Sequence, residues 1–130
     1  MTQSTRTPDP AKARSLRETV AVILERLETT NQEKYPALSV VDYYTALHAL
    51  LESKAALEGY KYAGDGAHQQ LIEAAVHNAT LSDTEGVLLQ ELRSARNGVV
   101  YEGQKVTLHY FTVRRAAILK VLSKLSEVHT

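Results

Sequence analysis

The chain has 130 residues with no net charge at neutral pH, and its 44% apolar, 23% charged composition is that of one globular domain with a core rather than a disordered chain. The absence of Cys excludes a disulfide scaffold, a thiolate zinc site, an iron–sulfur cluster and a Cys nucleophile. No apolar run is long enough to span a bilayer, and the leading MTQSTRTPDP lacks the apolar stretch of a signal peptide, so no membrane partner is expected and the expected compartment is the cytosol.

Residues 1–8 are polar and are expected to form a disordered tail ahead of a single domain over 9–130. Asp9-Pro10 is a helix start, because Asp caps and Pro is tolerated in the first turn. Ala13, Leu16, Val20, Ile23, Leu24 and Leu27 then recur at helical spacing. Tyr35-Pro36 marks the connection. A second helix is expected over about 39–57, with Val40, Tyr44, Leu47, Leu51 and Ala55 on one stripe and Tyr43, Leu50 and Leu57 beside it. Gly59 stops it, and residues 60–66 read as a loop. A short third helix spans about 67–78 and buries Leu71, Ile72, Ala75 and Val76. Ser82 followed by Glu85 is a capping-box pattern that opens a fourth helix, with Leu88, Leu89, Leu92, Ala95 and Val99 facing inward and Gly103 at its end. A fifth helix runs over about 105–127 with the stripe Val106, Tyr110, Val113, Ala117, Val121 and Leu125. Long helices on short connections predict an all-α, up-and-down bundle of four long helices plus one short helix.

Most site chemistries find no support. Glu73 and His77 share a helix face, but one such pair lacks the three or four convergent ligands of a metal centre, so no metal and no cofactor are expected. There is no Gly-x-Ser-x-Gly, and Gly59, Gly64 and Gly66 form no phosphate-loop fingerprint. Seven Tyr stand against one Phe. They are suited to base stacking, but Tyr44 and Tyr110 lie on apolar stripes and read as core residues with the hydroxyl at the edge. His48 reads as a core-edge histidine with a satisfied nitrogen, and His68 as an accessible one opening the third helix.

Charge is unevenly distributed. Residues 1–92 hold 8 Lys and Arg against 13 Asp and Glu, a net of −5, so residues 93–130 hold 7 against 2, a net of +5. Such a basic third either meets a phosphate-bearing partner or pairs with the acidic part of the same molecule. Within it, RSARNGVVYEG places two arginines, an amide and a phenol near a helix end. Arg93, Asn97 and Tyr101 are each four apart on one stripe, and Arg96 flanks it. Gly98 lowers helix stability by about 1 kcal/mol, which points to a close approach there. Guanidinium forks suit phosphate. The candidate phosphate-binding set is Arg93, Arg96, Lys105, His109, Arg114 and Arg115.

The stretch 92–103 resembles the signature segment of HEPN domains, whose pattern is an Arg, a polar residue such as Asn, and a His four to six residues after the Arg. Arg96 and Asn97 match its first half. Upstream, YYTALHALLESKAALEGYKYAGDGAHQQLIEA is similar to the family's second and third helices, with Gly59 and His68 in the places of a characteristic Gly and a helix-opening His. The resemblance covers about residues 40–125. It implies a small, often dimeric helical bundle of the kind found in RNA-cutting toxins and defence systems. It also implies a homodimer, a site at Arg96, Asn97 and Tyr101, and RNA, a nucleotide or a nucleotidyltransferase-type protein as partner. Tyr101 stands where the family has its catalytic His. A phenol with an ordinary pKa of about 10 is a poor base at neutral pH, where an imidazole at about 6.5 is a good one. Three expectations follow: a degenerate or divergent toxin-type binding domain for RNA or a nucleotide, a metal-independent endoribonuclease using Arg96 with Tyr101 or His109, or a structural protein-interaction bundle.

Overall fold

The computed structural model describes residues 2–5 and 7–127, the first four of these as backbone only. The elements are β1 (Thr2–Thr5), α1 (Pro10–Thr29), α2 (Pro36–Glu58), β2 (Tyr60–Ala63), α3 (Ala67–His77), α4 (Asp83–Glu102) and α5 (Leu108–Glu127). Four long helices and one short one therefore make an all-α bundle, to which a two-stranded ribbon is added.

Several helix ends fall on residues that supply the missing hydrogen bonds. The Asp9 side chain accepts from Lys12 N at 3.0 Å, with Pro10 next in the chain. Ser82 and Glu85 close the capping box in both directions, at 3.2 and 2.8 Å. Gly59 and Gly103 end α2 and α4 in the left-handed conformation, at φ 79° and 66°.

α2 is the central helix. Twelve of its 23 residues are buried, on more than one face, and it packs against α1, α3, α4 and α5. Small residues bring α1 close to it: buried Ser53 donates to Ala13 O at 3.1 Å, and Asp9 N donates to Ala56 O at 2.8 Å. Arg26 of α1 holds Asp42 of α2 in a two-pronged ion pair, 2.6 and 3.0 Å. Leu47, Leu89, Leu92, Ile118 and Leu125 fill the middle, and Tyr43 stacks on Phe111 with centroids 6.0 Å apart.

Three expectations are corrected. Residues 60–66 are not all loop: β2 pairs antiparallel with β1, from Thr2 opposite Ala63 to Thr5 opposite Tyr60. Part of the stretch expected as a disordered tail is thus a strand; residues 1 and 6 of it lie outside the described residues. Tyr60 and Tyr62 supply β-prone side chains in β2, but a ribbon this short gives no periodicity to read. Second, α5 begins at Leu108, leaving Lys105 and Val106 in the connection. Third, α5 is turned relative to the expected stripe. Val121 and Leu125 are buried as expected, but Val113 is 61% exposed and Ala117 is exposed, and Phe111, Ile118 and Leu122 face inward instead. Phe111, the largest apolar side chain of the segment, sets the phase.

Candidate functional site

α4 carries the residues singled out in the sequence. Leu89 and Leu92 anchor its inner face, and the polar stripe of its last turns comes out at the side. Arg96 Nη1 donates to Asn97 Oδ1 at 2.9 Å and reaches the Tyr101 hydroxyl at 3.4 Å. Its guanidinium also stands 5.4 Å from the centre of the Tyr101 ring, a cation–π distance. Arg96 and Asn97 are half-buried, whereas Tyr101 is 71% exposed. The three are thus brought into one cluster. Arg93, one turn back, donates Nε to Gln90 Oε1 at 2.9 Å. The close approach at Gly98 comes from Gln104: its N–H donates to Gly98 O at 2.9 Å, and its side-chain amide occupies the space that a Cβ would need.

The remaining candidates are placed differently. Lys105 is exposed in the connection between α4 and α5. Arg114 is held by Glu91 through Nε and Nη2, at 3.2 and 3.0 Å, and its guanidinium lies 3.7 Å from the Tyr110 ring centre. Arg115 lies over Phe111 at 5.9 Å. His109 is exposed on α5, and no hydrogen bond joins it to Arg93 or Arg96.

A second cluster sits beside the first. Tyr44, His48 and Glu52 are four apart on α2, and His68 comes to them from the first turn of α3. The two imidazoles stack with centroids 3.8 Å apart. His48 Nδ1 meets Glu52 Oε1 at 2.8 Å, and Tyr44 Oη meets His68 Nδ1 at 3.1 Å. Tyr44 is buried, which pushes its phenol up to about 12, so it keeps its proton. His68 is pulled down to about 4, chiefly by burial and then by His48, Arg96 and Arg93. The α4 arginines therefore act electrostatically on both Tyr44 and His68.

The hydrogen-bonding needs of the groups assign the protons. A buried phenol needs an acceptor, and His68 Nδ1 is the partner of Tyr44 among the described residues, so Tyr44 donates to it. Neutral His68 then carries its proton on Nε2. His48 is oriented the other way: Nδ1 donates to Glu52, whose carboxyl is held below the usual carboxylate range mainly by that bond. His48 and His68 had each been legible singly. Their pairing was not, although the spacing of Tyr44, His48 and Glu52 is a readable signal for one half of it.

Among the described residues, no three of His, Asp and Glu are placed to hold a metal ion. No helix among them is long and apolar enough to cross a membrane. Comparison with known proteins gives no matching family model, no matching curated protein and no matching solved structure.

Proposed function

We propose that the chain is a HEPN-like binding domain for RNA or a nucleotide, acting as a homodimer and gripping phosphate through Arg96 with Asn97, Tyr101 and Arg93. The observation that supports this reading is the convergence on Arg96. One guanidinium nitrogen holds an amide oxygen and reaches a phenol, so the fork is pre-positioned, while among the described residues no carboxylate lies within ion-pair distance of it. The exposed Tyr101 ring beside it offers a face for a base. A nucleotidyltransferase-type protein is the proposed partner class.

The second reading, a metal-independent endoribonuclease, is favoured by the 3.4 Å approach of the Tyr101 hydroxyl to Arg96 Nη1. There Arg96 would stabilise charge on the phosphorane while Tyr101 serves the leaving oxygen. His109 lacks any link to Arg96 that would give it this part.

Incubation of the purified chain with total cellular RNA in EDTA, beside Arg96→Ala, separates the two. The binding reading expects intact RNA in both samples and retention of single-stranded RNA on filters that Arg96→Ala weakens by about tenfold or more. Cleavage by the wild type alone establishes the nuclease. Failure to retain RNA at low salt, with RNA intact, rejects both readings and leaves a protein-interaction bundle.

A further inference from the structure

A cavity of about 290 Å³ lies between α1, α2, the β2 strand and the head of α3. The His48 and His68 rings are part of its wall, together with Lys12 from α1 and Lys61 from β2. It is separate from the Arg96 cluster, whose residues do not line it.

The wall is rich in donors. Among the described residues, neither the Lys12 nor the Lys61 ammonium has a carboxylate within ion-pair distance. Among the described residues the wall holds one carboxylate, Glu52, which is engaged by His48 Nδ1 and also feels the Lys12 charge. His68 presents an N–H at Nε2, because Tyr44 occupies its Nδ1. At the head of α3, Gly66 offers no side-chain acceptor; Ala67 N donates to Gly64 O at 3.2 Å, and the next amides of the first turn have no side-chain cap. Two ammonium groups and an imidazole N–H stand against one carboxylate, so the wall carries a net positive charge, which suits an anion.

The size and the rim narrow the class. The volume is at the lower edge of small-molecule pockets, which run from about 300 Å³. Tyr60 and Tyr62 of β2 border it, and their rings suit the face of a sugar or base. The donors are contributed by three separate elements, α1, β2 and α3. We propose that this cavity binds a small phosphate monoester with a ring-bearing body, its phosphate held by Lys12, Lys61 and His68 Nε2–H.

The test follows the imidazole resonances of His48 and His68 by NMR while ribose 5-phosphate, adenosine monophosphate, inorganic phosphate and uncharged adenosine are added in turn. A saturable shift with at least one of the two esters is expected, and none with adenosine. The ester that saturates at the lower concentration tells whether a sugar or a base occupies the rim. The Lys12→Ala, Lys61→Ala double variant is expected to weaken binding at least tenfold, while Lys120→Ala, which removes a charge from α5, leaves it unchanged. Lys61 is exposed and Lys12 half-buried, and neither holds an ion pair among the described residues, so the double variant is expected to fold, which its thermal midpoint checks. The proposal fails if neither ester saturates at millimolar concentration, if inorganic phosphate binds as tightly as the esters, or if the double variant binds like the wild type.

Discussion

His68 is half-buried against a second imidazole and feels the charge of two arginines, so the folded protein resists giving it a proton. An unfolded histidine titrates at about 6.5, and His68 in the fold at about 4. Between those values the unfolded chain binds the extra proton. Stability therefore rises with pH from about 4 to 6.5 on account of this group, is fully present above 6.5, and is lost as the pH falls. Urea midpoints at pH 5 and pH 7.5 read the effect, since Glu52, whose carboxyl is lowered, contributes its own loss mainly at more acid pH. His68→Gln is expected to shrink the difference between the two midpoints, and an unchanged difference would sink this account of the acid sensitivity. The hydroxyls nearby grade in the same way. Tyr44→Phe removes a buried bond of 3.1 Å and is expected to cost about 0.5–1.5 kcal/mol, whereas Tyr110→Phe removes a half-exposed bond of 3.4 Å to Glu91 O and should be close to neutral. The stripe of Tyr44, His48 and Glu52 was legible because one helix fixes their spacing. His68 joins them only through the path of β2 and the turn at Gly64 and Gly66, which no local pattern encodes.

Helix ends were the most legible elements, and helix phases the least. Asp9, Gly59, Ser82 and Gly103 all stand where the structure caps a helix, because a cap is a local hydrogen-bond problem solved by nearby residues. The phase of α5 depends on what packs against it, so a stripe drawn through Val113 and Ala117 failed while Phe111, stacked on Tyr43 of α2, decided the outcome. The two glycines inside α4 show how tertiary contact assigns opposite values to one residue type. A Cβ at Gly86 would collide with Val76 Cγ2, the stiff branch of a β-branched side chain on α3. Gly86→Ala is expected to destabilise by about 1–3 kcal/mol, and Val76→Ala in the same chain should recover part of that loss. At Gly98 the obstacle is the end of the flexible Gln104 side chain, which lies in an exposed residue and can swing away. Gly98→Ala is therefore expected to gain up to about 1 kcal/mol from helix propensity, less the lost Gln104 position. Thermal midpoints of the two single variants moving in opposite directions is the required result; a large loss at Gly98 would mean that the Gln104 contact holds the end of α4 rigidly.

Over the whole molecule, the basic C-terminal third is partly cancelled by the acidic segment that it packs against. Arg114 is held by Glu91, and Lys124 by Glu85 at 2.7 Å. No carboxylate lies within ion-pair distance of Arg93, Arg96, Lys105 or Arg115 among the described residues. The charge count alone could not make this division, because it depends on which helices meet. If the chain binds RNA as proposed, the paired and unpaired arginines are expected to contribute differently. Binding that rests on phosphates weakens with salt, by a slope of about −0.7 in log K against log salt for each phosphate neutralised on a single strand. Arg96→Ala is expected to reduce that slope by about 0.7 and to weaken binding at every salt concentration. Arg114→Ala is expected to leave the slope unchanged, and to cost at most about 1 kcal/mol of folding stability, because its carboxylate partner is exposed. Filter-binding titrations from 50 to 200 mM salt, roughly the range in which such slopes are resolved, read both. If Arg114→Ala lowers the slope as much as Arg96→Ala, the ion pair with Glu91 opens on binding and the interface extends from α4 onto α5. If Arg96→Ala leaves the slope untouched, phosphate is not what the α4 cluster holds.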